Sequence, residues 1–144
     1  MFDKMKKITI LIAAVILINT PAFGSENLEF STGDCNNSTA AIDPYDKSTL
    51  GIKHADWVNA KTLQIKAYVS MICNEWIESG NFEIKDEKIV LKYVVGHSIS
   101  KKFGYLPAQC MCVQELDYTI KNLQKRNYQF EMQGVATKNP KIVD

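Results

Sequence analysis

Sulfur poses the first chemical question in this sequence. Cys110-Met111-Cys112 sets two cysteines two residues apart. With Met71 and Met132 they make a set of soft ligands of the kind that selects Cu(I), or a dithiol able to exchange electrons. Cys35 and Cys73 complete an even count of four cysteines. In an oxidising compartment an even count points to disulfides, because nothing there keeps thiols reduced. On a strand, Cys110 and Cys112 leave the same face, and a bridge between them is strained because disulfide geometry wants Cβ atoms about 3.8 Å apart. The expected bridges therefore join Cys110 and Cys112 to Cys35 and Cys73, in either order. A Cys-x-x-Cys pair opening a helix, the usual setting of a reactive thiolate, is absent.

Other catalytic chemistry is thin. His54 and His97 are far apart, and neither has a second His or a Glu at zinc-ligand spacing, so both read as surface residues. No nucleophile elbow, glycine-rich phosphate loop or His-Glu helix motif occurs. Asp86-Glu87 is explained by a turn, and Glu75 with Glu78 by the solvated side of a strand end. The chain reads as a non-enzyme without a cofactor. Trp57 and Trp76 read as packing residues. Asn36 and Asn37 fit the glycosylation pattern, which matters only in a host that glycosylates exported chains.

The strongest recognition candidate is the segment from His97 to Gln109. It is longer than a hairpin requires, and it sets Lys101 and Lys102 beside Phe103 and Tyr105 around Gly104. Loops on a rigid scaffold are where recognition concentrates. Lys101, Lys102, Phe103, Tyr105 and His97 are thus the candidate binding residues.

The first residues decide the compartment. Lys4, Lys6 and Lys7 precede an apolar run, Ile8 to Ile18, followed by Pro21 and the small-residue frame Ala22-Phe23-Gly24. This order of charge, apolar run and small residues is a signal peptide, with cleavage expected after Gly24. The run is short of the roughly 20 apolar residues a spanning helix needs, so no stable membrane insertion is expected. No cysteine follows closely enough to be lipidated, and the expected location is periplasmic or secreted. Residues 1–24 hold three of the 17 basic and one of the 16 acidic groups, which leaves the remainder at a net charge of about −1. Nucleic-acid binding rests on a basic footprint, and this chain lacks one overall.

The elements that must hold these residues read as strands. Residues 25–50 are polar and turn-rich, an irregular arm with at most a short strand or one helical turn. From Thr62, Leu63, Ile65, Ala67, Val69, Met71 and Cys73 alternate with a mostly polar series, the period of a half-buried strand. Ser79-Gly80-Asn81 reads as a turn, followed by a hairpin of Phe82–Ile84 and Ile89–Val95 around Asp86-Glu87. Another strand runs from Cys110 to Ile120, with Gln114 interrupting its inward series and suggesting a β-bulge. Tyr128, Phe130 and Met132 mark a last strand, and residues 52–61 fit one short helix or an additional edge strand, with the strand favoured.

Many short strands with no sustained helical period predict an all-β, antiparallel immunoglobulin-like β-sandwich stabilised by disulfides. The expected organisation is a leader at 1–24, an irregular N-terminal arm at 25–50, the sandwich at 51–135 and a loose, flexible tail at 136–144. The function expected of it is that of an exported binding or interaction module recognising a protein or cell-envelope component, with an inhibitor or immunity-type role in the same class. The alternative is a copper-binding or thiol-redox protein built on the Cys-x-Cys strand.

Overall fold

The computed structural model describes residues 27–35 and 42–144. The leader and the glycosylation-pattern residues Asn36 and Asn37 lie outside them. The described chain is all-β, apart from a single 3₁₀ turn at Lys47–Thr49, N-capped by the Asp46 carboxylate.

Four strands form the larger sheet: β1 (Leu28–Thr32), β2 (Gly51–Asn59), β3 (Thr62–Ile72) and β8 (Met111–Ile120), in the order β1-β8-β3-β2. Three more, β4 (Trp76–Lys85), β5 (Lys88–Gly96) and β9 (Gln129–Ala136), form a second sheet in the order β4-β5-β9. The alternation seen in the sequence is what builds β3, where Leu63, Ile65, Ala67, Val69 and Met71 are all buried. They meet Leu116, Tyr118 and Ile120 of β8 and Phe82, Ile89 and Leu91 of the second sheet in one continuous core. Each Leu, Ile, Val, Met or Phe side chain among them contributes about 1.5–3 kcal/mol on leaving water. Tyr118 is fully buried at the centre, and its hydroxyl donates to the Lys92 carbonyl at 2.9 Å, tying one sheet to the other. Burial pushes the Tyr118 phenol well above its ordinary pKa, so this donor keeps its proton.

Asp86-Glu87 makes the expected tight turn between β4 and β5, with Asp86 in the left-handed region at φ 56°. Residues 52–61 supply β2, as expected, and the arm contributes a short strand and one helical turn.

Several expectations are corrected. Ser79-Gly80-Asn81 is no turn, because β4 runs through it with a register shift between Ile77 and Ser79. The glycine is there for Phe30 of β1, whose ring would lie 2.2 Å from a Cβ at position 80. Gln114 marks no bulge either. The β3–β8 register is unbroken from Leu63↔Ile120 to Ile72↔Met111, so Gln114 stays in the inward series. It is accommodated there by donating its amide to the Gly33 carbonyl at 3.0 Å. Pairing is not wholly antiparallel, since β9 runs parallel to β5. Lastly, residues 136–144 are not all loose: Lys141–Val143 forms β10, parallel to β6 (Ser98–Ser100).

The cysteines pair as Cys35–Cys112 and Cys73–Cys110, which selects one of the two orders left open by the sequence. Cys110 lies just before β8 rather than on it, with its side chain exposed, while Cys112 is fully buried.

Candidate functional site

The His97–Gln109 segment is structured, contrary to its reading as a loop. β6 and β7 (Gly104–Tyr105) form a hairpin, and β10 adds on the far side of β6 to make a three-stranded minor sheet in the order β10-β6-β7. Two or three residues give no readable period, so β6, β7 and β10 carry no strand signal in the sequence. Gly104 takes φ 76° at the start of β7, a conformation that glycine adopts without steric cost.

This small sheet is fastened to the body at the β3–β4 turn. Asn74 donates from Nδ2 to the Leu106 carbonyl at 2.9 Å and accepts from the Ala108 amide at 3.1 Å. The Tyr105 hydroxyl donates to Glu75 at 2.6 Å, which raises the pKa of the phenol chiefly because ionising it would forfeit this hydrogen bond. His97 packs edge-on against the Tyr105 ring at 5.1 Å. The Cys73–Cys110 bridge closes the same corner.

The five candidate residues therefore separate into two groups. His97 and Tyr105 belong to the mount. Lys101, Lys102 and Phe103 form the hairpin tip, all exposed, with Phe103 at 64 %. The tip is shaped from within: Ser100 Oγ accepts from the amides of Lys102 and Phe103 at 3.2 and 3.3 Å. The Lys102 ammonium stands 5.0 Å from the Phe103 ring centroid, a cation–π pair. Lys101 reaches Asp144 at 2.6 Å, an exposed pair that holds its charge only weakly. Leu106 and Ile142 are also exposed nearby in the chain of the minor sheet, at 55 % and 65 %.

A second polar array was not singled out from the sequence, because its members are scattered along it. On the outer face of the larger sheet, Lys66 bonds Glu115 at 2.8 Å and lies 3.7 Å from Asp117, while the Tyr68 hydroxyl donates to Glu115 at 2.7 Å. The Lys66 and Tyr68 contacts hold the Glu115 carboxyl below the ordinary carboxylate range, whereas loss of solvation raises Asp117. A shallow cavity of about 370 Å³ opens beside Lys66, Asp117 and Glu29. The available signal was positional: residues 115 and 117 share one strand face, and β3 places Lys66 opposite Asp117.

The sulfurs offer no thiolate, since both pairs are bridged. Met71 is part of the core and Met132 is partly buried against that core, and among the described residues no three His, Cys, Asp or Glu side chains group as metal ligands. No described helix is long and apolar enough to cross a membrane. No family model, curated protein or solved structure matches this chain.

Proposed function

We propose that this chain is an exported, non-enzymatic binding module that recognises a protein or cell-envelope component through the hairpin tip Lys101-Lys102-Phe103. The observation that carries this reading is the contrast between tip and mount. An exposed aromatic and two lysines project from a segment whose base is held by a disulfide and three hydrogen bonds. A rigid mount lowers the ordering cost of binding, and aromatic side chains with adjacent cations are favoured anchors. The four-against-three division of strands suits a sandwich of immunoglobulin-like outline, although the order β1-β8-β3-β2 and the parallel β9 differ from the ABED and CFG sheets of an immunoglobulin domain. Both disulfides fit an oxidising, extracytoplasmic compartment, in keeping with a periplasmic or secreted location after removal of residues 1–24.

The test is a triple variant, Lys101→Ala, Lys102→Ala and Phe103→Ala, compared with the parent in crosslinking and pull-down from envelope and culture-medium fractions. The variant is expected to lose partners that the parent captures while its melting temperature stays within about 2 °C, because the tip is exposed and adds little to the core. An unchanged set of partners would overturn the assignment of the tip.

A further inference from the structure

Edge strands expose unpaired amides and carbonyls, and folded proteins protect them with bulges, charges, proline or brevity. Three of the four edges of the two main sheets are protected in these ways. β2 has register shifts between Ile52 and His54 and between Trp57 and Asn59, and it carries Lys53, His54 and Asp56. β4 has the shift between Ile77 and Ser79. β1 is five residues long.

β9 has none of these protections. Its eight residues pair with β5 without a shift, from Lys88↔Gln129 to Val95↔Ala136. It contains no proline and no basic residue, and its one charge, Glu131, is already held by Lys88 at 3.1 Å. The amides of Gln129 and Thr137 donate to Glu87 and Val95 on the β5 side. Because alternate residues of a strand address the same neighbour, the N–H and C=O groups of Phe130, Met132, Gly134 and Ala136 face away from β5, towards the open edge. No other described strand pairs there.

We propose that β9 is the surface through which two copies of this chain pair, antiparallel about a two-fold axis at Gln133, so that their three-stranded sheets become one. A second copy is the occupant because the strand is complementary to itself in this register. All four outward-facing residues find partners: Phe130 opposite Ala136 of the second copy, Met132 opposite its Gly134, and the same two pairs repeated across the axis. Each large side chain meets a small one. On the solvent side Gln133 faces Gln133, and Glu131 faces Val135, an aliphatic side chain 44 % exposed in the single chain. No like charges oppose each other, which an antiparallel pair would penalise. The inference uses β9 alone and does not depend on the hairpin tip.

Sedimentation equilibrium from micromolar to millimolar chain is expected to show a monomer–dimer equilibrium. Amide exchange at Phe130, Met132 and Gly134 is expected to slow as the dimer forms. Gln133→Glu and Gln133→Lys each set like charges face to face at the axis, and each is expected to weaken the dimer about fivefold at low salt. Mixing the two variants sets Glu against Lys and is expected to restore association to at least the parental level. Circular dichroism of each variant checks that the monomer remains folded. A parent that stays monomeric at millimolar concentration overturns the proposal, as does a dimer that neither variant weakens or a pair of variants whose mixture fails to recover.

Discussion

Replacing Cys73 and Cys110 together by alanine separates the two things their bridge could do: constrain the unfolded chain, or hold the minor sheet in place. The bridge spans 37 residues. Treated as lost loop-closure entropy of the unfolded chain, a loop of that length is worth about 4 kcal/mol. Cys110 is exposed and Cys73 only half-buried, so removing the sulfurs leaves little cavity and the entropy accounts for most of the loss. Against a total stability of about 5–15 kcal/mol, the variant should fold at 25 °C with a much reduced margin. Urea unfolding followed by Trp57 and Trp76 fluorescence reads the effect: the midpoint falls, and the denaturant slope rises because the unfolded chain expands more freely. In the folded variant the mount should persist, since Asn74 still bonds Leu106 and Ala108 and Tyr105 still bonds Glu75. Native-state exchange of the Ala108 amide should therefore slow or quicken only with global stability. A loss below about 1 kcal/mol at unchanged slope would refute the entropic account. So would an Ala108 amide that exchanges freely while the rest of the fold stays protected.

Two further perturbations test the packing and the charge array. Gly80→Ala drives a methyl into the Phe30 ring and should cost about 1–3 kcal/mol of unfolding free energy as β1 is pushed off β4; a change within about 0.5 kcal/mol would mean that the ring moves aside freely. Lys66→Met removes the main contact that lowers the Glu115 pKa. A carboxyl with a lowered folded pKa adds stability above its unfolded pKa, about 4.3, and loses it as pH falls through the folded value. Asp117, raised in the fold, works in the opposite sense, and without Lys66 it rises further. Both effects should flatten the decline of the urea midpoint between pH 5 and pH 3 in the variant, and an equally steep decline would count against the array.

Strands with a long, one-sided period were readable from the sequence, and those without one were not. β3 shows five alternate buried residues, β8 four apolar ones around the buried Gln114, and β5 two, Ile89 and Leu91, continued by the partly buried Tyr93 and Val95, so their faces followed directly from the pattern. Gly80 and Gln114 misled because each answers to a residue far along the chain, Phe30 in one case and Gly33 in the other. Local rules assign a glycine to a turn and a polar residue to the outside, and tertiary contact overrode both. The parallel course of β9 depends on which sheet edge the chain returns to, which periodicity cannot specify. At the candidate site, Lys101, Lys102 and Phe103 were singled out from the sequence as binding candidates, but the fastening of Tyr105 to Glu75 and of Asn74 to Leu106 joins segments about 30 residues apart. That distance hides such contacts from any reading of neighbours.

Cys73 and Cys110 stand one step beyond Ile72↔Met111, the last pair of the central ladder, and the Cys73 amide donates to the Cys110 carbonyl at 3.1 Å. Slipping β3 by a single residue against β8 would turn its buried side chains to the outside and point the two sulfurs to opposite faces. Closing the Cys73–Cys110 bond therefore matches the observed alignment of the central strands, and once closed it makes that one-residue slip inaccessible.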